Sequence, residues 1–277
     1  MGRFATRAAV RGSIITVVDR REFLAGLGLV GVGTVVGTGI GAVGEPAFAT
    51  ESPTARTATP GGQTAAYRTQ VAFRAAPSEK LIALTIDDGP TAQWTPKVLS
   101  MLERRGVVAT FFLVGKRLAA DPTPTAQVAE AGHEFGNHTW AHTDVTHRDQ
   151  TYIDDSLERT HALVERVTGR VPTVFRPPYG RVDSVGLAAC ARLGYDVALW
   201  SDHVTGSNPK GDVDTTLRRA SPGSIVLAHD GGPEPNDNLM AQLDRLVGGL
   251  LDAGYRFTTV SEMLSAPTSG VAVVAPR

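Results

Sequence analysis

Short apolar runs alternate with amphipathic segments between residues 81 and 259, and this alternation constrains the fold more than any other feature. The first run is almost wholly apolar and is followed by Asp-Asp-Gly-Pro, which favours a buried β-strand. The predicted strands are residues 81–86, 107–114, 133–137, 174–176, 195–200, 224–228 and 256–259, and the predicted helices are residues 95–105, 125–131, 149–168, 184–193, 213–219 and 238–253. Strands and helices in this order predict an α/β domain with parallel strands, arranged either as an open doubly wound sheet or as a closed barrel.

Polar clusters follow five of the predicted strands. They are Asp87-Asp88, His138 to His142, Arg176 to Tyr179, Ser201 to His203, and His229-Asp230. In both candidate architectures the active site lies at the carboxyl ends of the strands. The clusters therefore predict one functional site at that end of the sheet.

Two of these clusters have the composition of a metal site. His138 and His142 are spaced i, i+4, so in a helix or tight turn both imidazoles face one side and can share an ion. Thr139 stands where a His-Glu-x-x-His metalloprotease has its base, so a base must come from elsewhere. Of the adjacent carboxylates Asp87 and Asp88, one can complete a three-ligand site open to water, and the other can act as base. The alternatives are two unrelated histidines and a capping turn built by Asp, Gly and Pro.

The first 49 residues have the features of an export signal. The pair Arg20-Arg21 precedes a weakly apolar, glycine-rich run at residues 24–43, and Ala47-Phe48-Ala49 forms a small-x-small cleavage pattern. The twin arginine resembles a Tat signal. We therefore expect cleavage after residue 49 and a secreted or cell-wall-associated protein, with a retained membrane anchor as the alternative.

The rest of the chain divides into three segments. Residues 50–78 are rich in Thr, Ala, Pro and Gly and predict a flexible linker, residues 79–265 form the single catalytic domain, and residues 266–277 form a C-terminal tail. The formal net charge is -1, which predicts no nucleic-acid partner. Once the signal is cleaved, we expect no stable membrane span.

Four motifs in order resemble those of a known family. They are Thr85-Ile86-Asp87-Asp88-Gly89-Pro90, His138-Thr-Trp-Ala-His142, Arg176-Pro177-Pro178-Tyr179 and Ile225-Val-Leu-Ala-His229-Asp230. They resemble four of the five motifs of the polysaccharide deacetylases (carbohydrate esterase family four, or NodB homology domain), over about residues 81–260. The resemblance implies a distorted (β/α) barrel. It also implies a metal-dependent hydrolase that removes N-acetyl groups from chitin oligosaccharides, peptidoglycan or an exopolysaccharide and releases acetate.

The resemblance also implies a role for each matching residue. The ligands of Zn²⁺, or of another divalent metal such as Co²⁺, would be Asp88, His138 and His142. Asp87 would be the general base, and Arg176 would hold it ionised and oriented. The backbone N–H of Tyr179 would stabilise the developing oxyanion, and His229 would be the general acid that protonates the departing amine.

The fifth motif departs from the family pattern, which usually reads Trp-x-x-Asp-x-x-Asp-Trp. In this chain His203 stands at the first Asp, Gly206 at the second and Ser207 at the final Trp, counted from Trp200. In the family the second Asp supports the acid histidine and the Trp forms part of the pocket wall. Both are missing at these positions.

This departure keeps several interpretations open. Asp202, displaced by one position, and Asp212 are candidate partners for His229, while His203 is either a substrate contact or an exposed loop residue. One rival function is the deacetylation of an O-acetyl ester such as acetylated xylan, which needs less help from His229. Another is a carbohydrate-binding barrel without turnover, which the retained ligands, base and acid disfavour.

Overall fold

A parallel β-sheet of nine strands is the frame of the computed structural model, which describes residues 67–268. The strands are β1 (Val71–Ala72), β2 (Leu81–Asp87), β3 (Thr110–Leu113), β4 (Glu134–Asn137), β5 (Val174–Phe175), β6 (Asp196–Ala198), β7 (Asp202–His203), β8 (Ile225–His229) and β9 (Arg256–Phe257). The helices are α1 (Thr95–Arg105), α2 (Gly115–Ala120), α3 (Thr123–Glu130), α4 (Gln150–Thr168), α5 (Ser184–Leu193), α6 (Pro209–Arg219), α7 (Asp237–Asp252) and α8 (Val260–Ser265), with a 3₁₀ turn at Pro178–Gly180.

The strand order explains the shape of the sheet. Along the sheet it is β1-β6-β5-β4-β3-β2-β8-β7, and β9 pairs with the first residues of β2. The sheet curls into a half-barrel. Within the described residues its two edge strands, β1 and β7, do not pair with each other, so the half-barrel stays open between them. This confirms the predicted distorted barrel.

Strand β2 lies inside the sheet, between β3 and β8, and is buried on both faces, which is why its sequence is a continuous apolar run. Its residues Ile82, Leu84 and Ile86 pack outward against the helices. Residue Ala83 packs inward, in a cluster with Phe112 on the neighbouring strand. Because successive side chains alternate between faces, the acidic residue that ends the strand projects inward, at its carboxyl end.

The amino-terminal boundary of the domain differs from the prediction. The sequence predicts a flexible linker over residues 50–78, but Val71 and Ala72 form strand β1 in register with Val197 and Ala198. The N–H of Ser78 also donates to the carbonyl of Pro267 (3.0 Å), a residue assigned to the tail. These pairings join positions far apart in sequence, so local composition could not indicate them.

Several predictions concern residues outside the described range. They are the signal peptide at residues 1–49, the linker up to residue 66 and the tail from residue 269. Within residues 67–268, none of the helices combines the length and the apolar character that a bilayer span requires.

Candidate active site

The two adjacent aspartates lie where β2 ends. Asp87 is its last residue, and Asp88 turns the chain with a φ of 72°, in the left-handed region. Two contacts hold this turn: Arg117 Nη1 donates to the carbonyl of Asp88 (2.7 Å), and the N–H of Val114 donates to the carbonyl of Gly89 (2.9 Å). These contacts hold the backbone at the strand end that carries both carboxylates.

The two histidines lie on a tight turn after β4. Its backbone has positive φ at Thr139 (67°) and His142 (54°), and this brings both imidazoles towards the end of β2. The Nε2 atoms of His138 and His142 lie 3.4 and 3.1 Å from Asp88 Oδ1. One donor atom from each of these three residues lies within 4.8 Å of the others. The structure therefore brings the predicted ligand set together.

This donor set fits a catalytic zinc ion or a similar divalent metal. Two imidazoles and one carboxylate are ligands that zinc prefers, and three protein ligands leave a position free for water or substrate. His138 Nδ1 lies 2.6 Å from the carbonyl of Arg176. A carbonyl only accepts, so Nδ1 carries the hydrogen, and in the neutral ring the lone pair on Nε2 faces Asp88.

The charges around the ligands favour a cation. Burial opposes ionisation of Asp88, but His138 and His142 favour its charged form more strongly and hold its pKa well below the usual range. Burial alone would lower the pKa of His138. The nearby carboxylates of Asp87 and Asp88 outweigh this effect, so the pKa of His138 is raised. Two buried carboxylates thus stabilise positive charge at this point, whether a proton or a metal supplies it.

Asp87 is held by a buried arginine. Its Oδ1 accepts from Arg176 Nη1 (2.7 Å), while its Oδ2 lies 3.7 Å from His138 Nε2. Burial lowers the pKa of Arg176 and the charge of Asp87 opposes that shift, so the guanidinium stays charged. Its remaining donors bind Thr85 Oγ1 (2.6 Å) and the carbonyls of residues 198 and 199 (both 2.9 Å). Asp87 is therefore held in place through Oδ1, while its Oδ2 faces the metal ligands.

The candidate acid lies on the neighbouring strand. His229 ends β8 in register with Asp87, and residues in register on parallel strands project from the same face. His229 is half-buried, and its Nδ1 is buried with no hydrogen-bond partner among the described residues.

Tyr179 borders the ligands from the turn after β5. Its side chain is 63% exposed, and its ring meets that of His142 edge to face with centroids 4.9 Å apart. With a φ of 61°, its backbone N–H donates no hydrogen bond to another described residue. That N–H is available to a substrate oxygen.

Neither proposed partner of His229 contacts it. Asp202 is in register with Val226, which places it roughly 10 Å back along the strand at about 3.3 Å per residue. Its carboxylate accepts from Ser201 Oγ (2.9 Å). Asp212 accepts from the N–H and the hydroxyl of Thr205 (2.9 and 2.7 Å). Both carboxylates are thus engaged elsewhere.

The segment that replaces the fifth motif packs against the loop after β8. The N–H of Gly206 donates to Glu234 Oε2 (2.6 Å), and its carbonyl accepts from Asn236 Nδ2 (3.0 Å). A Cβ at Gly206 would lie 1.8 Å from the carbonyl oxygen of Glu234, so the fold requires glycine there. His203 is exposed and in register with Leu227, on the face that also carries His229.

Three residues that the sequence interpretation gave no role support the site. Thr85 accepts a hydrogen bond from Arg176, and Arg117 donates one to the carbonyl of Asp88, as described above. Asp230 is fully buried and accepts from Thr95 Oγ1 (2.5 Å). Burial and then the charges of Asp88 and Asp87 raise the pKa of Asp230 to about 7. In the sequence, the feature that could have indicated Asp230 is its position directly after His229, at the end of an apolar strand.

Comparisons with known proteins agree with this geometry. The family model described as polysaccharide deacetylase matches residues 74–198. A peptidoglycan-N-acetylglucosamine deacetylase of Bacillus cereus is 35% identical over 192 residues, which are 68% of this chain and 89% of that protein. A peptidoglycan-N-acetylmuramic acid deacetylase of Bacillus subtilis is 32% identical over 68% of this chain, which spans only 39% of that longer protein.

A solved structure is similar over the same region. It is the crystal structure of a peptidoglycan N-acetylglucosamine deacetylase in complex with an N-oxidanyl-benzamide. The TM-score is 0.67 at 28% identity, over 73% of this chain and 96% of the solved one. The chain therefore belongs to the polysaccharide deacetylase family, carbohydrate esterase family four.

Proposed function

We propose that this chain removes N-acetyl groups from the N-acetylglucosamine units of peptidoglycan and uses zinc to do so. The observation that carries the proposal is the convergence of Asp88, His138 and His142 beside a carboxylate, Asp87, that accepts a hydrogen bond from a buried arginine. The names of the B. cereus relative and of the solved structure support peptidoglycan as the substrate. The predicted export signal is consistent with work at the cell wall.

Each residue has a defined task in this reaction. A bound divalent ion would polarise the acetyl carbonyl and make a water molecule more acidic. Asp87 takes the proton of the attacking water through Oδ2, since Arg176 occupies Oδ1. The Tyr179 N–H donates to the oxygen on which negative charge develops. His229, on the same face as Asp87, gives a proton to the sugar amine as acetate departs.

The first test measures acetate release by the purified, zinc-loaded chain. Substrates are peptidoglycan and N-acetylglucosamine oligomers, with Asp87→Asn as the inactive variant. Asp155→Asn is the matched control, because Asp155 is an exposed aspartate in a surface pair with Arg159. We expect release by the wild type and the control and none by Asp87→Asn. Release by Asp87→Asn at the wild-type rate would contradict the assignment of the base.

One observation favours a second candidate function. His229 has no carboxylate partner among the described residues, and an ester, whose leaving group departs more readily than an amine, depends less on the acid. The second candidate is therefore an O-acetyl ester deacetylase acting on substrates such as acetylated xylan. Acetate release from acetylated xylan that exceeds release from peptidoglycan would select it.

A further inference from the structure

The turn that carries the two histidine ligands begins at Asn137, whose buried side chain has no part in the proposed chemistry. Asn137 Oδ1 accepts from the N–H of Thr139 (2.9 Å), the residue directly after His138. Thr139 has a φ of 67°, and a β-branched residue adopts this left-handed conformation only when its surroundings hold it there. Asn137 therefore helps to hold the turn between His138 and His142.

Two acceptors fix the amide of Asn137. Its Nδ2 donates to the carbonyl of Leu157 (2.8 Å) and to the hydroxyl of Tyr195 (3.0 Å). Both amide hydrogens are thereby used. A flipped amide would place Oδ1 against the carbonyl of Leu157, acceptor against acceptor. The amide orientation that presents Oδ1 to Thr139 is thus set by these partners.

His161 completes the network from helix α4. Its Nδ1 lies 2.7 Å from the Tyr195 hydroxyl. The imidazole and the hydroxyl share this hydrogen bond, and which of the two donates depends on the tautomer of His161. A chain of hydrogen bonds therefore runs from half-buried His161, through buried Tyr195 and Asn137, to the backbone between the two ligands.

Other contacts hold the same turn independently. The carbonyl of Thr139 accepts from the N–H of Gly115 (3.0 Å), and the N–H of Trp140 donates to Ser156 Oγ (2.9 Å). Loss of the Tyr195 hydroxyl removes one support among several. The turn should still form, but with less exact placement of the two imidazoles.

We propose that Asn137, Tyr195 and His161 are positioning residues for the metal site. They contact none of the donor atoms and act through the backbone of Thr139, by holding the turn in which His138 and His142 converge on Asp88. This inference rests on the proposed metal-dependent function. It assigns a role to residues that lie outside the four matched motifs.

The test removes the hydroxyl of two tyrosines: Tyr195, whose hydroxyl bonds Asn137 and His161, and Tyr255, whose hydroxyl makes one hydrogen bond elsewhere. In the full chain, Tyr195→Phe should weaken zinc affinity about tenfold, the scale found for partners that orient metal ligands. Tyr255→Phe is the matched control, since the Tyr255 hydroxyl donates to the carbonyl of Ala220 (2.9 Å) at a distance from the ligands in sequence and fold. It should bind zinc as tightly as the wild type. Affinity is measured by competition with a chromophoric chelator.

A spectroscopic measurement separates positioning from a general loss of stability. The visible absorption of the Co²⁺-loaded chain reports the geometry of the ligands, and it should change in Tyr195→Phe but not in Tyr255→Phe. His161→Leu, on the half-buried end of the network, should weaken zinc binding in the same direction and serves if Tyr195→Phe does not fold. Wild-type zinc affinity and an unchanged Co²⁺ spectrum in these variants would overturn the inference alone. No zinc binding by the wild type would overturn the proposed function as well.

Discussion

Arg176 and Asp87 form a buried ion pair whose disruption should separate stability from catalysis. Arg176 is fully buried and Asp87 is 2% exposed. The guanidinium donates to Asp87 Oδ1, to the hydroxyl of Thr85 and to two backbone carbonyls. The substitution Arg176→Met keeps much of the apolar stem and removes all of these donors.

The expected cost follows from what the substitution leaves behind. A buried carboxylate loses its cation, and removal of one partner from a buried pair costs roughly 3–5 kcal/mol. The two carbonyls that lose a donor add about 1 kcal/mol each where water does not replace it. We therefore expect the free energy of unfolding to fall by about 5 kcal/mol (roughly 3–7), a large share of the roughly 5–15 kcal/mol of a typical domain.

Urea unfolding of the metal-free chain at neutral pH measures this cost. The double variant Arg176→Met/Asp87→Asn should recover part of it, about 1–3 kcal/mol, because no unpaired charge remains. Arg105→Met is the control: Arg105 also binds a carboxylate, that of Asp244, through Nε and Nη2 (2.9 and 2.8 Å), but at the surface. We expect no measurable loss there.

Activity should follow a different pattern from stability. Both the single and the double variant should release no acetate, since the single variant has no arginine to orient Asp87 and the double variant has no carboxylate there. If Arg176→Met lost less than about 1 kcal/mol, or if the double variant were no more stable than the single one, the unpaired charge of Asp87 would not be the source of the cost.

Three further predictions concern other parts of the domain. Burial lowers the pKa of His133 from 6.5 to about 4. As the pH falls below about 6.5, the unfolded chain therefore binds a proton at His133 before the folded chain does. The free energy of unfolding should then fall, by about 2 kcal/mol at pH 5. His133→Asn keeps an acceptor for the N–H of Ala109 and should flatten this dependence in urea titrations at pH 7 and 5. His229→Asn should slow amide deacetylation by about 10²–10⁴-fold and ester deacetylation less, measured as acetate release from both substrates; equal losses would contradict its role as acid. Gly206→Asp should lower the thermal midpoint without raising activity, because its Cβ would collide with Glu234, and a rise in activity would refute this account.

The sequence predicts the long, periodic elements well. Helices α1 and α5 have the predicted bounds, residues 95–105 and 184–193. Both have apolar residues at helical spacing, and both end at a glycine with positive φ, Gly106 (63°) and Gly194 (73°). Such signals are local, so a single sequence contains them.

The two strands it misses depend on distant partners. Strands β1 and β7 have two residues each, too few for any period, and they exist because β6 and β8 offer free edges. The same limit applies in the site. Asp202 is near the missing aspartate in sequence, but strand register sets it beside Val226 and away from His229.

The pairing of β2 with β8 also explains how the site can keep its form after the fifth motif has changed. Five residue pairs in register, from Ala83 with Ile225 to Asp87 with His229, place the base and the acid on adjacent strands of one face. The altered segment around Gly206 contacts the loop after β8 and leaves this ladder untouched. The position of His229 is therefore set by the sheet, and its Nδ1 has no hydrogen-bond partner among the described residues. Variation in the altered segment should alter how readily a leaving group is protonated, and hence the choice between amide and ester, while the placement of the reacting groups is retained.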